Sequence, residues 1–200
     1  MILAALLAGL LLGLLLGGRL RYMAALPLRA TGVILAAVII RYGSQWLFDK
    51  GYHWVGAADA WLYGASLLCV LWFVWQNRRL PAFWLVGMGV SLNALVIFAN
   101  GGQMPVAAHA LRAASLADYI ERLQEGTVFA YRLMDETTRL PWLGDRLPLP
   151  LPYLSPEVLS VGDLALAAGL FAFALLALQP PFYRRRQAPS PDNSSLDSTI

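Results

Sequence analysis

The sequence predicts an all-α membrane protein with five transmembrane helices and a structured extracytoplasmic segment between the fourth and the fifth. Three observations lead to this class. Of the 200 residues, 58% are hydrophobic and 14% are charged, whereas a soluble domain has about 25% charged residues. Apolar runs of about 20 residues recur, which is the length that crosses the bilayer core. Short clusters of arginine lie beside these runs, as they do at the cytoplasmic ends of membrane helices.

The five predicted spans belong to a single membrane domain, residues 1–183. They cover residues 2–17, 28–48, 56–76, 81–100 and 156–179. A cleaved signal peptide is the alternative for the first span, but such a peptide has its positive charge before the apolar core. Here the charge follows the core, at Arg19 and Arg21, so we favour an uncleaved span.

Local signals support the predicted helix starts. Pro27 and Pro81 precede the second and fourth apolar runs, and proline is common at the first position of a helix. For the fifth span, Ser155-Pro156-Glu157 has the pattern of an N-cap serine, a proline at the first position and an acid in the first turn. The sequence therefore predicts that the fifth helix begins at Pro156.

The positions of the arginines predict the orientation. With five spans, the loops at residues 17–27 and 77–80 lie on the same side as the C-terminal tail, and all three carry arginine clusters. Cytoplasmic loops carry the excess of Lys and Arg, so the N-terminus is predicted outside and the C-terminus inside. Residues 184–200 are predicted to form a cytoplasmic tail, basic at first and then disordered.

The predicted outer segment, residues 101–155, is too long for a simple loop and should have its own structure. Residues 105–125 have the periodicity of an amphipathic helix, with Gly126 as the predicted C-cap. Residues 140–153 contain four prolines and are predicted to run extended. No element is assigned to residues 127–140.

The joint between the fourth span and this outer segment is Asn100-Gly101-Gly102-Gln103-Met104-Pro105. A Gly-Gly pair suggests a phosphate loop, but the preceding span makes a helix C-cap the better interpretation. The sequence therefore predicts that Asn100 and the two glycines end one helix and that Pro105 begins the next.

Ionisable residues inside spans are costly, so they are the first candidates for a functional site. Arg41, Asp59 and Asp163 all lie in the outer half of their predicted spans. We expect an outer-leaflet cluster in which Arg41 pairs with Asp163 or Asp59.

Helical phase adds further polar residues to this candidate intramembrane cluster. They are Gln45, Tyr63, Asn93 and Asn100, with Ser66 on the stripe of Asp59 and Tyr63. Interhelical hydrogen bonding is the favoured interpretation of the cluster, and a ligand or ion site and a proton path stay open as alternatives.

No catalytic, cofactor or metal site is predicted. His53 and His109 lie outside the spans and are expected to be exposed polar residues, and Asp135-Glu136 lacks the pattern of a calcium loop. Cys69 is the only cysteine, which excludes a disulfide framework. The net charge of +3 comes from clusters beside the spans, so nucleic acid is not an expected partner.

Three segments together resemble a known family. They are Asn100-Gly101-Gly102-Gln103-Met104-Pro105-Val106, then Leu143-Gly144-Asp145-Arg146-Leu147-Pro148-Leu149-Pro150, and Ser160-Val161-Gly162-Asp163. In this combination the chain resembles an uncharacterised bacterial integral-membrane family, classed as a domain of unknown function. The resemblance implies a multi-spanning protein of the bacterial inner membrane and supplies no activity or functional residue.

The sequence favours a non-enzymatic structural or accessory membrane component, whose partners are the lipid bilayer and another membrane protein or a second copy. The alternative is a small transporter or ligand-binding membrane protein with a site around Arg41, Asp59 and Asp163. A membrane enzyme acting on a lipid-linked substrate is least favoured, because no paired acid and base are evident.

Overall fold

Apolar helices make up most of the computed structural model, which describes residues 1–52, 54–149 and 156–180. The helices are α1 (Ile2–Leu15), α2 (Leu20–Ala24), α3 (Thr31–Asp49), α4 (Trp54–Ala57), α5 (Asp59–Gln76), α6 (Ala82–Ala99), α7 (Ala108–Ala113), α8 (Asp118–Gln124) and α9 (Val161–Ala177). The strands are β1 (Met104–Val106), β2 (Tyr131–Leu133), β3 (Leu147–Leu149) and β4 (Glu157–Leu159), and Pro141–Leu143 forms a 3-10 helix.

The five long helices lie side by side in the order α1, α9, α6, α5, α3. Helices α1 and α9 are parallel, since Gly9 lies against Phe171 and the Arg19 amide donates to Leu178 O at 2.8 Å. Short connections make α3, α5 and α6 run alternately up and down. One end of the bundle therefore holds the C-terminal ends of α1, α5 and α9 and the N-terminal ends of α3 and α6.

Glycines let α6 approach α9 closely. A Cβ on Gly89 would lie 2.5 Å from Gly162 O, and one on Gly169 would lie 2.7 Å from Val86 N. Backbone contact of this kind brings two helices closer than larger side chains would permit. Beside this seam, the Phe83 ring contacts the rings of Phe73 at 5.4 Å and Phe173 at 5.1 Å.

Among the described residues, two helices are long and apolar enough to cross a membrane, α3 with 19 residues and α6 with 18. Shorter apolar helices are Ile2–Leu15, Ala60–Gln76 and Val161–Ala177. By length and composition the structure thus supports two candidate spans and does not by itself support the other three, so the five-span topology stays a prediction.

The first four predicted apolar segments correspond to α1, α3, α5 and α6 within a few residues. Two short helices were not predicted, α2 between the first and second segments and α4 just before α5. The predicted start of the fifth helix is wrong, because Glu157–Leu159 forms strand β4. Helix α9 begins at Val161, capped by Ser160, whose Oγ accepts a hydrogen bond from the Asp163 amide at 2.9 Å.

The single amphipathic helix predicted over residues 105–125 is also wrong. Pro105 lies in strand β1, and the rest forms two helices, α7 and α8, separated by Ser115 with φ of 62°. The Leu116 amide donates to Leu111 O at 2.8 Å, which closes α7 with a Schellman turn. Periodicity alone missed this break because neither Gly nor Pro marks it. The predicted glycine after α8 is confirmed at Gly126, with φ of 68°.

Short strands organise the rest of the segment. Strand β1 pairs in parallel with β2, and Val106 also bridges to Asp145 on the other side. Strand β3 pairs antiparallel with β4, with Pro148 opposite Val158. The extended conformation predicted for residues 140–153 is confirmed at Leu147–Leu149. It is wrong at Pro141–Leu143, which forms a 3-10 helix, because the fixed φ of proline also fits the first position of a helical turn. Residues 150–153 lie outside the described part, as do His53 and the predicted tail 184–200.

The predicted end of the fourth helix is confirmed. Gly101 and Gly102 have φ of 72° and 93°, and the Gly102 amide donates to Ile97 O at 2.9 Å. This is the hydrogen bond of a Schellman motif, which places its C′ residue in a left-handed conformation that glycine adopts without strain.

Candidate functional site

A pocket of ≈ 500 Å³ lies where the helix bundle meets the segment between α6 and α9. Its walls come from the beginning of α1, the end of α3, helices α7 and α8, strands β1, β2 and β4, and the first turn of α9. Polar side chains that line it include Gln45, Asp49, Arg122, Tyr131, Asp145, Glu157 and Asp163. This volume is within the range of small-molecule sites.

Asp145 is held in the pocket wall by its backbone. Its amide donates to Pro105 O and its carbonyl accepts from the Ala107 amide, both at 2.9 Å. The residue is only 6% exposed, and its Oδ1 atom has no hydrogen-bond partner among the described residues. Burial, with a smaller effect of the Asp163 carboxylate, raises the pKa of Asp145 to about 8.

A second carboxylate of the pocket, Asp163, has its partners in place. Its Oδ2 accepts from the Ser160 amide at 3.0 Å, which completes a capping box at the start of α9. Its Oδ1 accepts from Asn93 Nδ2 at 2.8 Å. The Ser160 hydroxyl donates to Asn93 Oδ1 at 2.8 Å, so the three side chains form one network between α6 and α9.

Tyr131 and Glu157 complete the polar part of the pocket. Burial, together with the nearby Tyr63 and Asp145, raises the pKa of the Tyr131 phenol well above its usual range. Glu157 accepts two hydrogen bonds from the Met1 ammonium, at 2.9 and 2.7 Å. This carboxylate is therefore paired with a positive charge, whereas Asp145 has no ion-pair partner in the described part of the structure.

Arg41 does not pair with Asp163, and the only ion pairs among the described residues are those of Met1 with Glu157 and Arg132 with Asp135. The Arg41 guanidinium lies over two aromatic rings instead, 4.8 Å from the centre of Tyr63 and 5.5 Å from that of Phe129. The side chain of Asp59 lies outside the described part of the structure, so pairing of Arg41 with Asp59 stays a prediction.

The structure does not bring the remaining residues of the predicted cluster into one site. Gln45 donates to Asp49 at 2.9 Å at the end of α3, and Ser66 donates to Tyr63 O at 2.8 Å within α5. Asn100 binds the backbone of Arg139. Of the seven predicted residues, the structure brings Asn93 into contact with Asp163 and Arg41 into contact with Tyr63, and it places Gln45 in the wall of the same pocket as Asp163.

Six polar residues of the site were not predicted, namely Asp49, Arg122, Tyr131, Asp145, Glu157 and Ser160. A signal was present for two of them. Asp145 follows Gly144 in the Leu-Gly-Asp segment, and Ser160 precedes Asp163 by the three residues that a capping box requires. Tyr131 lies in a stretch without a clear pattern.

The described residues contain no group of three His, Cys, Asp or Glu side chains that could hold a metal ion. The prediction that His109 is exposed is confirmed. Asp135 binds Arg132 and Thr137 within its own turn, each at 2.7 Å, so its carboxylate has protein partners.

The fold and the pocket define a class of protein, an apolar helical bundle covered at one end by a small segment of short helices and strands. The chain belongs to a family of unknown function, DUF5317, whose model matches residues 25–175. That range takes in α3, α5, α6, the covering segment and most of α9.

One relative is an uncharacterised protein of Thermotoga maritima, 33% identical over 110 residues. The match covers 55% of this chain and 60% of that protein, so the chain spans less than two thirds of its length. No solved structure matches the chain.

Proposed function

We propose that the chain is an integral membrane protein with five spans that binds a small ligand in the pocket on its extracytoplasmic side. The observation that carries the ligand-binding part is the buried Asp145 side chain, which lines a pocket large enough for a small molecule and whose Oδ1 has no hydrogen-bond partner among the described residues. Buried polar groups are nearly always satisfied, so an exception needs an explanation.

Exposed apolar side chains support the membrane environment. Leu15 of α1 is 74% exposed and Trp61 of α5 is 83% exposed. Only 11% of the apolar window of α3 is buried by the rest of the chain, whereas the core helix of a soluble protein is mostly buried. Each of the other two long helices also has exposed large apolar residues, such as Leu95 of α6 and Leu176 of α9. Contiguous apolar surface on this scale fits lipid contact.

Tryptophans are exposed near both ends of the bundle. Trp46 and Trp54 lie near the end that carries the pocket, and Trp75 and Trp84 lie near the opposite end. Tryptophan is enriched at both interfaces of a membrane because its ring is amphipathic. The two groups therefore fit the two sides of a bilayer.

The side-by-side packing supports five spans in place of two. Helix α6 contacts α5 and α9, α9 contacts α1, and α5 contacts α3. If α3 and α6 cross the membrane, the helices packed beside them therefore lie in the membrane as well. Helix α1 has 14 residues, or roughly 21 Å at 1.5 Å per residue. A span of this length is accommodated by local thinning of the bilayer.

Charge distribution supports the orientation. The bundle end opposite the pocket carries Arg19, Arg21, Arg29, Arg78 and Arg79. The positive-inside rule assigns that end to the cytoplasm. The N-terminus is then outside, the C-terminus is inside the cell, and the pocket faces the extracytoplasmic side of the inner membrane.

Cysteine labelling tests this topology. In a Cys69→Ala background, Glu136→Cys is expected to react with a membrane-impermeant maleimide in intact cells. Arg21→Cys should react only after the membrane is permeabilised. Reaction of both cysteines in intact cells, or of neither after permeabilisation, would contradict the proposed arrangement.

A thermal-shift screen in detergent tests ligand binding. Small water-soluble acidic, neutral and basic compounds are added to the full chain and to Leu116→Trp, which fills the pocket. Leu147→Trp is the matched control, because Leu147 lies outside the pocket lining. We expect a compound that stabilises the native chain and the control but not Leu116→Trp. Absence of any such compound counts against the proposed pocket function.

An accessory role is the second candidate, in keeping with the interpretation that the sequence favoured. Trp142 in the covering segment is 59% exposed, and exposed tryptophan is typical of protein contact surfaces. Purification from membranes in a mild detergent would test this role. Isolation of the chain only as a lone monomer would count against it.

A further inference from the structure

We propose that the pocket binds a ligand through a protonated amine, which pairs with the carboxylate of Asp145 in the pocket lining. This inference rests on the proposed ligand-binding function and specifies the chemical class of the ligand. It is carried by the Asp145 side chain, which lines the pocket and whose buried Oδ1 has no hydrogen-bond partner among the described residues.

The charges of the pocket favour a cation. Four carboxylates line it, those of Asp49, Asp145, Glu157 and Asp163, against the Arg122 guanidinium and the Met1 ammonium. The Met1 ammonium is engaged by Glu157. The Arg122 guanidinium lies over the Tyr119 ring, 4.8 Å from its centre. Neither cation is a hydrogen-bonded or ion-paired partner of Asp145 among the described residues, so neither occupies the place of a cationic ligand there.

The geometry of Asp145 points to a donor supplied from outside the chain. Its backbone hydrogen bonds on both sides hold the residue in the wall, and the residue is buried there. A buried carboxylate without a donor is unfavourable, and a charged donor stabilises it more than a neutral one. An ammonium group supplies both the hydrogen and the opposite charge.

The remaining walls favour an organic ammonium over a bare metal ion. Leu111, Leu116, Val128 and Phe129 line the pocket beside the carboxylates. Metal ions such as Ca²⁺ require six to eight oxygen ligands, and the described residues offer no cluster of that kind. Apolar walls beside acidic groups match an amine that carries an apolar substituent.

Binding of such a ligand releases a proton below the pKa of Asp145. The neutral carboxyl loses its proton to solvent, and the ammonium then pairs with the carboxylate, so charge and protons balance. The Asp163 carboxylate, the Tyr131 phenol and the paired Glu157 face the same region. Asp49 and Arg122 lie in the same lining. We therefore expect affinity for an amine to increase from pH 6 to pH 8.

The probes are benzylamine, benzyl alcohol and benzoate, which share one ring and differ in charge. Binding is measured by isothermal titration calorimetry with the full chain in nanodiscs of phosphatidylglycerol, a lipid without an amine. We expect saturable binding of benzylamine, with much weaker binding of the other two. The benzylamine enthalpy at pH 7 should vary with the ionisation enthalpy of the buffer, because a proton is released.

Asp145→Asn is the test variant and Glu136→Gln is the control, since Glu136 is exposed and outside the pocket. The backbone bonds of residue 145 persist in the variant, and its thermal melt verifies folding. We expect Asp145→Asn to weaken benzylamine binding at least tenfold and the control to leave it unchanged. Equal benzylamine binding by Asp145→Asn overturns the inference.

The outcomes separate this inference from the proposed function. Benzyl alcohol or benzoate could instead bind as tightly as benzylamine and lose this binding in Leu116→Trp. That result would overturn the inference of an amine ligand but support ligand binding in the pocket.

Two sources of the amine are distinguished by the lipid. In nanodiscs with added phosphatidylethanolamine, a weaker apparent affinity for benzylamine indicates that the lipid headgroup competes for the site. An unchanged affinity indicates a free amine as the natural ligand. Both results support a protonated amine as the group that Asp145 binds.

Discussion

Asn77 and Asn100 make the same set of hydrogen bonds at opposite ends of the bundle, immediately after helices α5 and α6. The Nδ2 of each donates to the carbonyl four residues earlier in its own helix, at 2.8 and 2.7 Å. Each side-chain amide also pairs with the backbone amide and carbonyl of an arginine in another segment, Arg29 for Asn77 and Arg139 for Asn100. These pairs attach the chain before α3 and the covering segment to the ends of the two helices.

Substitution of either asparagine should free one segment and leave the other in place. Asn100→Ala removes the acceptor of the Arg139 amide, and Asn77→Ala removes that of Arg29. Each change should cost about 1–3 kcal/mol, because buried backbone groups lose their partners. Hydrogen exchange measured by mass spectrometry should show faster exchange around residue 139 in Asn100→Ala and around residue 29 in Asn77→Ala. Each variant is the control for the other, and equal exchange at both segments in both variants would refute the assignment.

The seam between α6 and α9 should not accept a methyl group at Gly89. The added Cβ would lie 2.5 Å from Gly162 O, so Gly89→Ala must separate the helices. We expect a loss of about 1–3 kcal/mol, as for other overpacked sites. Gly43→Ala is the control, because nothing lies within 4 Å of a Cβ at that position of α3. Thermal melts in detergent compare the two, and equal melting temperatures would contradict the close packing.

Asp145 should make the ligand-free protein less stable as the pH rises. Its folded pKa of about 8 exceeds the value near 3.9 of an unfolded aspartate. Between these values the folded state binds more protons than the unfolded state, so the free energy of unfolding falls with pH and levels off above pH 8. In Asp145→Asn this contribution is absent.

The measurement is the difference in melting temperature between Asp145→Asn and the native chain at pH 5, 7 and 9. From pH 5 to pH 7 the melting temperature of the variant should rise by several degrees relative to that of the native chain. The conversion is about 2–4 °C per kcal/mol for a chain of this length. The difference should change little above pH 8. If the melting temperature of Asp145→Asn instead falls relative to that of the native chain as the pH rises, the folded protein favours the charged carboxylate.

Arg41 should stabilise the fold through its two aromatic contacts. A guanidinium over a ring contributes up to about 2 kcal/mol when it is shielded from water, so we expect Arg41→Ala to cost about 1–2 kcal/mol. Arg41→Lys keeps the charge but loses the planar stacking, and its loss should be intermediate. Denaturant titration in detergent measures both. A native-like stability of Arg41→Ala would count against the structural role.

The sequence predicts the long helices well and the covering segment poorly. The ends of α3 and α6 follow from apolar length, and the end of α6 also follows from Asn100-Gly101-Gly102, whose glycines adopt positive φ. Strands of three residues such as β1 contain no periodic pattern. They form because Met104–Val106 lies between Tyr131–Leu133 and Asp145, which are pairings between distant parts of the chain.

The same distinction applies to the site. Two candidate N-caps precede α9, Ser155 and Ser160, and local rules do not choose between them. The pairing of β3 with β4 places Glu157–Leu159 in a strand, which leaves Ser160 as the cap. Asp163 was predicted as a partner of Arg41 because the fifth helix was expected to begin at Pro156. Since α9 begins at Val161, Asp163 lies in its first turn and forms part of the cap. The burial of Asp145 comes from its bridge to Val106, which no local pattern reveals.

The network of Ser160, Asn93 and Asp163 gives the last prediction. Ser160→Ala removes the acceptor of the Asp163 amide and the donor to Asn93 Oδ1. Loss of an N-cap costs about 0.5–2 kcal/mol, and the unpaired Asn93 oxygen adds to this cost. Ser44→Ala is a matched control, since Ser44 is also buried but donates to Ile40 O in its own helix. A double-mutant cycle with Asn93→Ala, followed by thermal melts, should give a coupling of about 1 kcal/mol for Ser160. Additive effects of the two substitutions would show that the serine acts on α9 alone.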